Sequence, residues 1–386
     1  MKAQESICLL PILSLKICIR LFINVKMNIS PEERNKLAAI LKNRTSQVKD
    51  IHDNWRRSTN SDVLLVDGTN TFIRCWSANP AMDVNGKHTG GIVGFLKSVG
   101  YAVKLLAPTR CVIIFDGIGG SFKRRQLFPE YKEKRKGRIR LNRAYEEMSE
   151  ATSEEENCRR QYIRLINYLQ TLPVNILSID HVEADDVIAF LALEYFKASR
   201  KIFIMSSDKD FLQLCIGNIS VYSPTKKRIY GTPEVLTEYQ IHPNNFVLYR
   251  ALDGDDSDNV NGIEGAGPKT IVKYFPWLNE EKLHTTDEIV SHAVNLRNKY
   301  RVCENIAEGK DILDRNVSLM QLKETALTTI AQLHCIECMD TEKIPQLDRN
   351  AFFQLVKTDL LDSNLPNYVD WVNTVWSPLD NAVRKE

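Results

Sequence analysis

Two short apolar runs, VLLVD at 63–67 and CVIIFD at 111–116, each end on an aspartate. Aliphatic runs of this length without polar alternation read as strands buried on both faces. Such strands belong to parallel sheets covered by helices. Between the two runs Ile92, Phe95, Leu96, Val99, Val103 and Leu106 recur at helical spacing, so the chain alternates strand with helix. Further strands are expected at 174–179, 201–207 and 219–223, with amphipathic helices over 158–170 and 183–197. The implied class is α/β, a parallel sheet flanked by helices, and such sheets place their ligands at the carboxyl ends of the strands.

Nine carboxylates fall at or near those ends. They are Asp67, Asp116, Glu183, Asp185, Asp186, Asp208, Asp210, Asp255 and Asp258. Glu183 and Asp186 are three apart at a helix start and share one side. Asp208 and Asp210 share a face if the chain is still extended there. Each acid alone has an ordinary explanation, because acids suit the first turn of a helix and Asp-Gly forms turns. Several such groups on one sheet edge raise each other's pKa unless a cation lies among them. Oxygen ligands alone favour a hard divalent ion such as Mg2+, and the chain reads as a carboxylate-bound metal enzyme.

The 386 residues suffice for a full α/β core with a smaller unit attached. The net charge of +2 hides a pattern: ten Lys/Arg stand between Ser121 and Arg143 against Glu130 and Glu133, then six glutamates between 146 and 156. The basic block, with Lys123, Arg124 and Arg125 at its start, is a candidate polyanion contact. Nine scattered cysteines read as reduced thiols of a cytoplasmic protein. Cys335 and Cys338 lack the second ligand pair that structural zinc needs. Residues 1–26 are apolar but interrupted by Lys16 and Arg20. They make a poor membrane span and are expected to be dispensable. Ser30-Pro31-Glu32-Glu33 opens a helix.

After Pro233 the character changes. A helix over about 244–252 leads into an acidic, glycine-rich loop at 253–267, and Pro268 opens another helix. Gly262, Gly265 and Gly267 leave backbone N–H groups open to a phosphate at that helix start. An EF-hand does not fit, because counting from Asp253 puts Asp258 where its glycine must stand. Beyond about 276 the chain reads as helical.

In order, VDGTN, FDG, VEADD, SSDKD, GDDSDN and GIEGAGPK resemble the 5′-nuclease family, which includes flap endonucleases, bacterial polymerase 5′-nuclease domains and phage RNase H. The phage branch looks closest, at FPEYKEKRKGR and FLQLCIGNISVYSPTKKR. The resemblance spans about 60–320. It implies a PIN-like parallel sheet, a helical arch and a helix–hairpin–helix-type duplex-binding region. The divisions it implies are an N-terminal extension at 1–59, a catalytic domain at 60–232 with its arch at 121–157, the duplex-binding region at 233–325 and a helical region at 326–386. It assigns Asp67, Asp116, Glu183 and Asp185, with Asp186 beside them, to one metal ion. Asp208, Asp210, Asp255 and Asp258 go to a second. Mg2+ is the expected metal, with Mn2+ as a substitute. Tyr131, Lys132 and Arg135 match an arch-base motif whose lysine and arginine contact the scissile phosphate. The loop 262–269, including Lys269, would hold duplex backbone, with K+ as a candidate ion.

The resemblance further implies a monomer acting on DNA with a 5′ flap or 5′ end, or on an RNA–DNA hybrid, in DNA replication. A replication polymerase, sliding clamp or single-strand-binding protein is a candidate partner. Paired metals would clamp both oxygens of an in-line displacement, while Lys132 and Arg135 stabilise the charge that develops on phosphorus. Tyr131 either stacks on a base or packs on the arch. His181 and His242 read as structural. A dehalogenase-type phosphatase needs a nucleophilic Asp where Leu65 stands, and a simpler PIN nuclease needs neither the glycine loop nor the arch. The remaining alternative is a non-catalytic DNA-binding protein of the same fold. The run Gln346–Phe353 only loosely matches a clamp-binding peptide and reads as a core helix.

Overall fold

The computed structural model describes residues 61–133, 151–324, 327–340 and 343–385. Arg135, the rest of 134–150 and the whole N-terminal extension lie outside the described residues.

The chain forms β1 (Asp62–Asp67), α1 (Gly68–Ala78), α2 (Gly90–Leu106), β2 (Arg110–Asp116), α3 (Phe122–Leu127), α4 (Ala151–Leu169), β3 (Asn175–Ile179) and α5 (Ala184–Phe190). Then come β4 (Lys201–Met205), β5 (Ile219–Ser223), β6 (Arg228–Tyr230), α6 (Thr232–Tyr239) and α7 (Phe246–Asp253). A two-strand hairpin, β7 (Gly254–Asp255) with β8 (Val260–Asn261), precedes α8 (Pro268–Tyr274). The main sheet runs β3-β2-β1-β4-β5-β6, parallel except at β6. Asp67 and Asp116 end adjacent strands, Glu183 follows β3, and Asp208 follows β4. The order of the sheet therefore brings four separated acidic motifs to one edge.

Alternation along the strands feeds two cores. Val63, Leu65, Val112 and Ile114 face a layer built from α5, α7, α8 and the later helices through Met339. Leu64, Val66, Cys111, Ile113 and Phe115 face α1, α2 and α4, over which residues 344–383 fold. The described helices from α5 through Met339 thus cover one face of the sheet, and residues 344–383 lie on the other side. Phe352 and Trp376 lie fully inside the second layer, the core-helix reading of the 346–353 run. Cys335 is buried among apolar side chains.

Local details differ from expectation. The helix expected at 183–197 is α5 followed by a π-helical turn at Leu191–Tyr195. The helix at 244–252 begins as a 3-10 turn at Pro243–Asn245. Asp208 and Asp210 do not share an extended strand. Asp208 caps a 3-10 helix, Lys209–Leu214, and its Oδ1 accepts the N–H of Asp210 at 2.8 Å. Capping that turn satisfies an otherwise unpaired amide, so the two acids meet through a helix start.

Candidate active site

Asp67 and Asp116 are set by backbone contacts at their strand ends. Asp67 caps α1, accepting the N–H of Asn70 at 3.0 Å, and its second oxygen accepts the Ser206 hydroxyl at 2.9 Å. Asp116 accepts the N–H of Ala184 at 2.7 Å, tying β2 to the start of α5. Its own N–H donates to the Thr69 hydroxyl at 2.8 Å. Ser206 also accepts the N–H of Asp208 at 3.1 Å, so one hydroxyl joins the ends of β1 and β4.

Asp67, Asp185 and Asp208 are enclosed and repel one another. Burial, then Asp116 and Asp208, push Asp67 up to about 7. Burial, with Asp67 and Asp208, raises Asp185 well above the carboxylate range. Burial raises Asp208 too, with Asp258 and Asp255 adding to it. No side-chain hydrogen bond or ion pair engages Asp185 among the described residues.

Glu183, Asp186, Asp210, Asp255 and Asp258 lie against cations. Arg124 binds Glu183 and both oxygens of Asp186, at 3.0 and 3.1 Å. Lys132 reaches the second oxygen of Glu183 and lies 3.8 Å from Asp258. Burial works to raise Glu183, yet Lys132 and Arg124 hold it below its ordinary value. Arg250, 6% exposed, donates to Asp210 and Asp255 at 2.6 Å each. Even so, burial and Asp208 push Asp210 up to about 7. Asp255 stays low against its burial, through the Ser257 hydroxyl and Arg250.

With Glu183, Asp210 and Asp255 so engaged, no three His, Cys, Asp or Glu side chains among the described residues are closed tightly enough to grip a metal ion. The donor chemistry nevertheless fits one. Asp67, Asp116, Asp185 and Asp208 offer only oxygen donors. Among the described residues no cation is hydrogen-bonded to Asp67, Asp185 or Asp208, though Lys132 and Arg250 act on the last two from a distance. The sign of their titration gives a test. An acid raised from 3.8 to about 7 contributes most below the unfolded value, and that contribution is lost as pH rises through 7. Glu183 and Asp255 are lowered and stay ionised across this window. Without divalent ions the melting temperature should fall between pH 5 and 8 by at least ~2 °C, and Mg2+ should restore it most at pH 8. A flat profile indifferent to Mg2+ would sink the metal-centre reading.

Two residues expected on nucleic acid are engaged within the protein in this structure. Arg124 is buried on Glu183, Asp186 and the carbonyl of Leu319. Four of its five N–H donors are spent on these partners. Tyr131 is 4% exposed; its ring packs on Val260, Leu319 and Met320 and its hydroxyl donates to Asp258 at 3.0 Å. Of the two readings of Tyr131, the structure takes packing over stacking. Lys132 is left-handed at φ 57, a conformation costing ~1–2 kcal/mol, with its N–H on the carbonyl of Asp258 at 2.8 Å.

Lys123 and Lys269 are exposed, Arg125 half-buried. At the glycine loop Gly265 is left-handed, φ 84, which only glycine adopts freely, and Gly267 caps α8. Nδ1 of His242 accepts the N–H of Asn244 and is structural. Arg250 and Ser206 were missed. Arg250 is the one cation on the largely buried helix α7, a mark that a buried acid waits opposite. Ser206 carried no signal beyond following an apolar run.

A sequence profile for the 5′-3′ exonuclease N-terminal resolvase-like domain matches residues 62–240. A 5′-3′ exonuclease of Aquifex aeolicus is 28% identical over 254 residues, covering 66% of this chain and 74% of the relative. One from Buchnera aphidicola subsp. Schizaphis graminum is 30% identical over 210 residues, covering 54% of this chain and 67% of the relative. The T5 5′-exonuclease with bound zinc ions shares the fold, at a TM-score of 0.55 and 20% identity over 78% of this chain and 98% of that one. Strand-end acids, sheet order and these likenesses agree, and the chain belongs to the 5′-3′ exonuclease family of nucleases.

Proposed function

We propose that this chain hydrolyses phosphodiester bonds at 5′ ends and 5′ flaps of DNA, and in RNA–DNA hybrids, with two Mg2+ ions. The observation that carries this reading is the mutually repelling set formed by Asp67 and Asp208, at the carboxyl ends of β1 and β4, with Asp185 in the first turn of α5. A divalent cation received among them would relieve that repulsion. A flap endonuclease of bacteriophage T5 with this fold, at a TM-score of 0.53 and 20% identity, has been solved with DNA and metal ions.

Asp67, Asp116, Asp185 and Glu183, with Asp186 alongside, would hold one ion. Asp208, Asp210, Asp255 and Asp258 would hold the other, their charge partly balanced by Arg250. Such ions neutralise phosphate oxygens and activate water as the nucleophile. Lys132, paired with Glu183 in the structure, would offer its ammonium to the phosphate, where it would oppose the growing negative charge. Lys123, Lys269 and the loop 262–269 contact backbone, which gives affinity without sequence preference.

Cleavage of a labelled 5′-flap duplex, with Mg2+ and with chelator, tests the reading. The wild type should cut only with Mg2+. Lys132→Ala should lower the single-turnover rate at saturating substrate by ~100-fold with little change in binding. If the wild type binds the flap yet cuts nothing with Mg2+, the non-catalytic DNA-binding alternative takes its place.

A further inference from the structure

Four aromatic residues lie between Phe115 and Glu133, and three are unavailable. Phe115 is buried in the sheet, Tyr131 is sealed as described, and the ring of Phe128 carries the Arg315 guanidinium 4.4 Å from its centre. Phe122, at the start of α3, is 55% exposed. Its ring rests against the exposed imidazole of His181, centroids 5.8 Å apart at 60°. Ile118 and Leu127 beside it are 81% and 56% exposed.

The loops carrying Phe122 and His181 are stitched together. The Gly117 N–H donates to Val182 O at 3.1 Å and the His181 N–H to Ile118 O at 2.8 Å. The Ile118 N–H donates to Asp180 Oδ1 at 3.2 Å. These loops follow directly on Asp116 and precede Glu183, so the ring is fixed relative to two of the catalytic acids. His181 is left-handed, φ 63. Gly119, φ 70, lies so close that a Cβ there would stand 3.0 Å from the imidazole. One unfavourable backbone conformation, that of His181, is thus kept in a loop whose outcome is an exposed ring beside a carboxylate cleft. Exposed apolar groups gathered at a site mark binding. An open aromatic face among cations, here Lys123 and Arg125, is the arrangement that receives unpaired bases.

We propose that Phe122, backed by His181, is the platform on which an unpaired base of the substrate strand stacks next to the cut. This rests on the nuclease reading and adds a specificity element: the site selects a strand whose base is free to leave the duplex stack. A duplex base already has both faces covered and gains nothing there.

The test compares 5′-flap substrates in which one nucleotide near the junction is replaced by an abasic one, position by position. For the wild type one position should matter, with kcat/KM lowered by ~10-fold. Phe122→Ala should show that loss on the intact flap and no further loss with the abasic nucleotide, while Phe122→Trp keeps the wild-type pattern. A 2-aminopurine at the same position, bound in chelator, should be quenched by the wild type and not by Phe122→Ala. The proposal is overturned if Phe122→Ala cuts the intact flap like the wild type. It is equally overturned if that variant still discriminates the abasic substrate, which would make the ring merely structural. If the wild type cuts no substrate with Mg2+, the nuclease reading fails instead, and the 2-aminopurine signal still decides whether a base stacks.

Discussion

Asp185→Asn should abolish cutting and at the same time stabilise the metal-free protein. Asp185 sits at the centre of the acidic set, its carboxylate raised by burial, Asp67 and Asp208, and it has no hydrogen-bonded cation. Replacing one of its oxygens with an amide removes the charge and, under the proposed function, a metal ligand together. A loss of several kcal/mol of transition-state stabilisation lowers the single-turnover rate by at least about a thousandfold. The same change relieves a buried carboxylate of its neighbours' repulsion. Stability in chelator at pH 8 should rise by about 1–3 kcal/mol, the range for a buried group left unsatisfied. Because the acid is raised, the gain should shrink as pH falls and the wild-type carboxyl takes up a proton. Urea unfolding at pH 8 and below, with flap cleavage, reads all of this. A variant that keeps cutting, or that is destabilised at pH 8, would remove Asp185 from the metal centre.

Arg250→Met should do the reverse, sparing the ligands and damaging the fold that presents them. Arg250 binds Asp210 and Asp255 at once and donates to the carbonyl of Gly254 at 3.0 Å. Removing one partner of a buried ion pair leaves a charge uncompensated, at a cost of about 3–5 kcal/mol. In chelator at pH 8 the variant should unfold earlier by that amount. At pH 5 the deficit should be smaller, since Asp210, already pushed up to about 7 by burial and Asp208, can take a proton. Mg2+ in large excess should recover part of the loss by binding only the folded state, ~2.7 kcal/mol at a hundred times its Kd. Equal stability of variant and wild type in chelator would show that Arg250 is not what balances these acids.

These two residues mark what could be read from the chain. Asp185 was found because VEADD follows a strand pattern and opens a helix, both local signals. Arg250 was overlooked because nothing within a few residues says that a cation in LYRALD faces an aspartate forty positions earlier. The same holds for Arg124, which looked like part of a solvated basic block. Its guanidinium instead reaches Glu183, 59 positions on, and Leu319, 195 positions on. Tyr131 is covered and Phe122 exposed for a related reason. Both lie in one short aromatic and basic stretch, and only the packing of Val260, Leu319 and Met320 decides which ring is covered. The change of backbone after β4 was also hidden, since an extended and a 3-10 path both suit SSDKD until the capping bond of Asp208 is seen.

The amino-acid order by itself determined the parallel sheet and the presence of acids along its carboxyl edge. A fully apolar run closed by an acid at a turn or a helix start is local chemistry, and it survives any arrangement of neighbours. Tertiary structure alone decided which carboxylates already hold a guanidinium or ammonium, which stand without one, and which aromatic ring meets solvent. Those outcomes depend on contacts between distant segments, where burial strengthens every charge and no short-range pattern records the partner.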